Sequence, residues 1–316
     1  MTIYYLIDDY VTLSWGTAII YFHVAQLRAA GYDARALHQH APFRPSWLEY
    51  DIPIHHLDEP GFTASANDIV VVPEVLVAEP SVQRFPWRKI VFVQGSFLIF
   101  RGLKSHGGYR ELGFESAMAI LPHVAHAVER HFRVPATVVP PFIAPYFFEP
   151  ALEPRQKRIL FPMKHGYEAL GIPDQEIAKR LLAREFEARP EWQFVPLDGF
   201  THRQVAELMR SSMLLVNVFS HEAFNTTVPE AMAAGCVVVC YEAGGGLDFL
   251  KPGENAIVFP NQHVWALIER VCDVADRIDE HAQLFETLRA GGRATATEYT
   301  PERTAGALLR FFETVA

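Results

Sequence analysis

The sequence predicts an α/β protein built from two doubly wound parallel-sheet domains in succession. Three observations carry that reading. Short, continuous apolar runs such as Asp68–Pro73 and Lys89–Gln94 have the composition of central parallel strands covered on both faces. These runs alternate with segments of helical periodicity, as βα units do. The alternation pauses at a proline cluster, Pro140, Pro141, Pro145, Pro150 and Pro154, and then restarts. A chain of 316 residues, half of them hydrophobic, can fill two cores of ordinary size.

In the first block, Ile3–Ile7 is an expected strand, and Thr17–Ala30 an expected helix that stops at Gly31, a suitable left-handed terminator. Between them Gly16 opens the helix, where it either lets a ligand approach the backbone closely or simply eases a turn. Asp33–Leu37 is a second strand, followed by a proline- and histidine-rich loop. Gly95–Gly113 is an irregular segment carrying Arg101, Lys104, His106 and Arg110 among Gly, Phe and Tyr. It is either a solvated loop or a surface for an anionic or sugar acceptor. Strands Met118–Leu121 and Ala136–Pro140 flank helix Pro122–Phe132 and complete the block.

After the prolines come strand Arg158–Phe161, helix Asp174–Glu187, strand Trp192–Pro196, helix Arg203–Arg210 and strand Met213–Phe219. Strand Val237–Tyr241, a Gly244-Gly245-Gly246 loop, strand Ala256–Phe259, one helical stretch over Val264–Leu288 and a last helix from Pro301 finish the chain. The expected domains are residues 1–150 and 151–300, with 301–316 a helix packing back toward the first. Sheets of this kind bind ligands beyond the carboxyl ends of their strands, and two that face each other make a cleft.

Bulk properties narrow the function. The formal net charge of −9 argues against a protein built to grip nucleic acid, and no RNA- or DNA-reading motif is present. No apolar run is long enough to span a membrane. The start of the chain lacks the basic flank and apolar core of a signal peptide, so a cytoplasmic location is expected. A peripheral position at a membrane is left open by the basic-aromatic segment Phe97–Arg110. Cys236, Cys240 and Cys272 lack metal-knuckle spacing and read as packing. The histidine pairs His38 and His40, His55 and His56, and His123 and His126 lack a zinc pattern, so no metal and no cofactor are expected.

One stretch stands out between two strands: Ser220-His-Glu222-Ala-Phe224-Asn225-Thr226-Thr227-Val-Pro229-Glu230-Ala-Met-Ala-Ala-Gly235. Pro229 suits a first helical turn and Gly235 a left-handed C′ position. Glu222 stands at the mouth of the loop and Glu230 in the first turn of the helix. A strand-loop-helix of this kind aims N–H groups and a positive dipole end beyond the sheet, where an anion can sit. Spacing alone equally allows an ordinary crossover with two surface glutamates.

The stretch resembles the family 4 retaining glycosyltransferases, whose motif is commonly written E-G-F-G-x-P-x-x-E-A-M-A-x-G. The likeness continues through a strand, a glycine pair and the turn Gly253-Glu254-Asn255. It covers the second half closely and the first half in outline. The resemblance implies a GT-B fold, two Rossmann-like domains facing a cleft, with a nucleoside-diphosphate sugar held by the second. It implies that Glu222 faces the donor sugar and Glu230 the ribose. Phe224, Asn225, Thr226 and Thr227 would then form the loop that meets the sugar and distal phosphate. Lys164 falls where an arginine of the family neutralises the diphosphate; as a lysine it supplies a point charge without the planar fork.

The departures fall elsewhere. No Lys or Arg follows within 166–173, leaving His165 or a residue of the other domain to substitute. Gln94 stands where many members have a histidine; it is a catalytic-site candidate that can hydrogen-bond a sugar hydroxyl but cannot do acid–base work. His106 is the nearby stand-in, the glycine pair of the first loop is reduced to Gly16, and Asp248 replaces a common glutamate. The expected activity is retaining, metal-independent transfer of a sugar to a hydroxyl of an unidentified acceptor. The alternative is a non-catalytic nucleotide-sugar-binding partner of the same fold.

Overall fold

A computed structural model of the chain describes residues 1–9, 11, 14–47, 50–164 and 173–315. They form two compact units, one of residues 1–142 with 302–316 and one of residues 143–301. The expected pair of parallel-sheet α/β domains is what the chain forms.

Unit 1 holds seven strands: β1 (Ile3–Leu6), β2 (Ala34–His38), β3 (Ile54–His56), β4 (Ile69–Pro73), β5 (Arg88–Val93), β6 (Phe114–Ala119) and β7 (Ala136–Val138). All pair in parallel in the order β3-β2-β1-β4-β5-β6-β7. Strand order reverses between β1 and β4, where Ile3 pairs with Ile69 and Tyr5 with Val71. The loops that leave these strands therefore diverge and open a crevice at the carboxyl edge. Every residue of β1 and β4 is buried, which is why both read as unbroken apolar runs.

Unit 2 holds β8 (Gln156–Pro162), β9 (Gln193–Leu197), β10 (Ser212–Asn217), β11 (Val237–Tyr241) and β12 (Ile257–Phe259), in the order β12-β11-β10-β8-β9 and again all parallel. Ile159, Phe161, Leu214, Val216, Val237 and Val239 of the sheet pack against Leu182, Leu267, Val271, Phe285 and Leu288 of the helices. Each such side chain contributes on the order of 1.5–3 kcal/mol as an upper estimate. Helix His202–Ser211 starts with a complete capping box: Gln204 N donates to Thr201 Oγ1 at 3.3 Å and Thr201 N to Gln204 Oε1 at 2.8 Å.

Three expectations need correction. The proline- and histidine-rich loop contains a strand, β3, whose three half-buried residues are too few for an alternating pattern to show. The segment Gly95–Gly113 includes a 3₁₀ turn at Ser96–Leu98 and a short helix at Ile99–Leu103, and β6 begins at Phe114 rather than Met118. The single stretch Val264–Leu288 is two helices, Val264–Asp276 and Ala282–Ala296. Between Ala275 and Phe285 no residue is buried, so the apolar stripe lapses for more than two turns and nothing holds the helix together there.

The last helix, Pro301–Val315, turns Leu308 and Phe312 inward, both fully buried. Phe312 meets the rings of Tyr5 and Tyr32 at 6.5 and 6.3 Å, and Arg88 donates to the Val315 carbonyl at 2.7 Å. No helix among the described residues is long and apolar enough to cross a membrane.

Candidate functional site

In unit 2 the chain leaves β10, turns through Glu222–Thr226 and enters helix Thr227–Ala234. Pro229 lies in the first turn, and the helix stops at Gly235, whose φ of 81° is the left-handed conformation expected of it. Ala223, Phe224 and Asn225 are buried, while Glu222, Thr226 and Thr227 are half-buried and line the mouth. The Phe224 ring packs on Tyr299 and Phe249, at 4.7 and 5.7 Å between centroids.

The loop is held from outside by Gly245. Its N–H donates to the Glu222 carbonyl at 3.0 Å, and a Cβ at this position would fall 1.2 Å from the Ala223 oxygen. Only glycine permits that approach. From inside, Asn217 and Asn225 exchange side-chain amide hydrogen bonds. The Gly253 turn is fixed by Asn255, which accepts from Lys251 N and donates to the Phe249 carbonyl and Thr295 Oγ1.

Lys164 follows β8, and the Gln175 side chain holds its backbone in both directions: Lys164 N donates to Oε1 at 2.9 Å and Gln175 Nε2 donates to the Lys164 carbonyl at 3.2 Å. The Lys164 ammonium pairs directly with the Glu222 carboxylate and stands 4.8 Å over the Phe219 ring. Two residues singled out 58 positions apart thus meet at one point. His165 and 166–172 lie outside the described residues, as do Tyr10, Thr12 and Leu13 of the first loop.

Glu230 is only 4% exposed, and sequence reasoning missed what braces it. His202, the first residue of its helix, bonds Glu230 through Nε2 at 2.8 Å, and its Nδ1 meets the Tyr146 hydroxyl. A neutral imidazole protonated on Nε2 satisfies both, receiving from the phenol and donating to the carboxylate. Arg203 stacks over the Tyr146 ring at 4.6 Å. The nearest sequence signal was the cap at Thr201, which places the following histidine on the first turn of a helix at the carboxyl end of β9.

In unit 1, Gly16 and Gln94 are brought together: a Cβ on Gly16 would lie 2.7 Å from Gln94 Oε1. His106 is turned to Glu111 instead, at 3.0 Å on the surface. Asp9, beyond β1, accepts from Gln39 N and His40 N and pairs with His38 at 2.9 Å; His38 in turn bonds the Tyr21 hydroxyl at 2.8 Å. Burial pulls His38 below the ordinary histidine value, with Asp9 opposing. A residue that the sequence did not flag, Glu74, follows β4 with 2% exposure. Its Oε1 accepts from Gly95 N at 2.7 Å, and burial pushes its carboxyl up to about 7. Perturbed acids of this kind cluster at functional sites.

Cys236 and Cys240 are buried with thiols pushed up to about 12, so they are inert packing groups. Among the described residues no group of three or more His, Cys, Asp or Glu is arranged to hold a metal ion. Asp248 ends the 3₁₀ turn Gly245–Asp248. A shallow hollow lined by Leu152, Arg158, Phe200, Glu207 and Leu208 lies at the amino end of β8, away from the Glu222 loop.

Comparison with known proteins bears on this geometry. A family model described as glycosyl transferases group 1 matches residues 173–277, which include Glu222, Glu230 and His202. No curated protein matches the sequence. Among solved structures, a glycosyltransferase from Rickettsia africae ESF-5 is similar over 99% of this chain and 98% of its own, at 15% identity and a TM-score of 0.72. Sucrose-phosphate synthase from Thermosynechococcus elongatus has the same coverage at 14% identity and a TM-score of 0.71. Anabaena HepE, solved with UDP and with UDP-glucose, covers 99% of this chain and 100% of its own, at 10% and 11% identity and TM-scores of 0.71 and 0.70. The chain has the GT-B fold, and residues 173–277 of its second unit are similar to the group 1 glycosyl transferase model.

Proposed function

We propose that the chain is a retaining glycosyltransferase that takes a nucleoside-diphosphate sugar in unit 2 and passes the sugar to an acceptor hydroxyl. The observation that carries this reading is the Lys164–Glu222 pair at the mouth of the loop, within a fold and segment of the glycosyltransferase type. On donor binding the Lys164 ammonium turns to the diphosphate, and N–H groups of residues 224–227 at the helix start add a positive end. Glu222 is left to accept hydrogen bonds from sugar hydroxyls and to stabilise positive charge at the anomeric centre. Glu230, braced by His202, takes the ribose hydroxyls.

In the transfer step the anomeric carbon–oxygen bond to the diphosphate breaks and a bond to the acceptor oxygen forms on the same face. The acceptor proton passes to a departing phosphate oxygen. The chain's contribution is electrostatic and positional, and no metal or cofactor enters the scheme. HepE binds UDP and UDP-glucose, so uridine nucleotides are the first donors to try. A cytoplasmic location belongs to the same proposal.

Gln94, standing where many members of the resembled family have a histidine, favours one alternative, a nucleotide-sugar-binding partner without turnover, because an amide moves no proton. Donor consumption over an acceptor panel separates the two. Wild type consuming donor and Glu222→Ala losing about 10²–10³-fold supports the enzyme, as for loss of one charge-stabilising group elsewhere. Equal turnover in both proteins sinks the assignment, and binding with no turnover on any acceptor leaves the partner reading.

A further inference from the structure

Asn217 is the last residue of β10, a strand otherwise composed of Ser212, Met213, Leu214, Leu215 and Val216. Its side chain is fully buried. Its Nδ2 donates to Asn225 Oδ1 at 3.2 Å, and Asn225 Nδ2 donates back to Asn217 Oδ1 at 3.0 Å. The same Asn217 oxygen also receives Phe219 N at 3.0 Å. Asn225 is 4% exposed and sits at a φ of 53°. Few residues other than glycine take that conformation, and asparagine is one of them.

A buried amide placed in an apolar strand is unfavourable unless it is fully bonded. A valine at 217 would serve the strand, and a glycine at 225 would serve the turn. Neither would tie the two together. The reciprocal amide pair closes the seven-residue excursion between them, 218–224, into a ring, with Glu222 on the excursion and Thr226 and Thr227 just beyond Asn225. Asn225 also hands the chain to the helix, its carbonyl accepting from Val228 N at 2.9 Å.

We propose that Asn217 and Asn225 are positioning residues for the nucleotide diphosphate: their amide clasp sets loop 222–227 in its ligand-binding shape before a ligand arrives. The proposal rests on the reading of this loop as the donor site. A loop ordered in advance spares the ligand the cost of ordering it, so the clasp contributes to affinity without touching the ligand. Asn217 is set back at the strand end and acts on the loop through Asn225 and through Phe219 N.

The test is a double-mutant cycle of Asn217→Ala, Asn225→Gly and the double variant, using UDP as probe. Hydrogen exchange of peptides spanning residues 218–228 is measured alongside. Each single variant is expected to weaken UDP binding about tenfold and speed exchange in that peptide while β8 and β11 stay protected, and the double variant to be no worse than the poorer single, because contacting partners are coupled. In turnover of UDP-glucose, by transfer or hydrolysis, KM rises about tenfold while kcat stays within about threefold, as for a group acting on binding alone. Asn225→Gly fits its φ without strain and keeps the test open if Asn217→Ala folds poorly. Additive effects, or UDP affinity and exchange unchanged in Asn225→Gly, overturn the clasp while leaving the donor site in place. Failure of wild type to bind any nucleoside diphosphate overturns the donor reading and this proposal with it, whatever the exchange data show.

Discussion

Replacing Glu74 by glutamine isolates the energetic consequence of burying an acid at the end of β4. The carboxyl group is 2% exposed, and the groups that bond it are the backbone N–H groups of Gln94, Gly95 and Glu74 itself. Burial outweighs those bonds and raises the group from the ordinary 4.5 to about 7. The folded protein therefore holds a proton that the unfolded chain has released over this interval, and stability falls as pH rises through it. The full loss is about 3 kcal/mol, reached above pH 8 and absent below about pH 4.5, since one pH unit of displacement is worth about 1.4 kcal/mol. Glutamine keeps an oxygen for Gly95 N–H and never ionises. Denaturant unfolding of both proteins at pH 5, 7 and 9 should show Glu74→Gln gaining on wild type as pH rises, by about 2–3 kcal/mol between pH 5 and pH 9. Other titrating groups cancel in the difference. A gap that is constant with pH, or wild type gaining on the variant as pH rises, refutes the assignment of Glu74 as a buried acid that charges only at cost.

Three further outcomes are expected. Lys164→Ala should weaken nucleoside-diphosphate binding by about tenfold or more in calorimetric titration, with Lys164→Arg retaining most of it, because a charge-assisted bond to phosphate is lost in one and kept in the other. Gly245→Ala should lower the melting temperature and abolish nucleotide binding, since the added methyl meets the Ala223 carbonyl. Gly246→Ala meets only the end of the Leu250 side chain and should bind nucleotide nearly as wild type does. Thr201→Ala removes the cap that starts the His202 helix, so it should cost about 1 kcal/mol in thermal unfolding and weaken binding through the displaced His202–Glu230 contact.

What was legible beforehand follows from how each signal is written along the chain. Buried strands such as Ile69–Pro73 and Val237–Tyr241 are apolar at every position, so they announce themselves without partners. The short edge strand Ile54–His56 cannot, and the break after Asp276 shows only as missing burial. Lys164, Glu222 and Glu230 were visible as residues because a motif and a strand end mark them. That Lys164 and Glu222 pair, and that His202 and Tyr146 brace Glu230, depends on contacts between distant positions that no local spacing encodes. Asn217 and Glu74 were hidden for another reason. Glu74 follows the apolar run Asp68–Pro73 and so reads as the first residue of a loop, while Asn217 lies unmarked within the expected strand Met213–Phe219; both side chains turn inward.

The return of residues 302–316 to unit 1 makes unit 2 an insertion within it, in the sense of chain connectivity. Residues 143–301 are continuous and can fold as they emerge, in keeping with domains folding as units. Residues 1–142 emerge earlier but lack Leu308, Phe311 and Phe312, the buried side chains of a helix still to be made. Until that helix arrives, the side of β1 carrying Tyr5 keeps an apolar surface open to chaperones or to other unfinished chains. The half synthesised first is the half completed last.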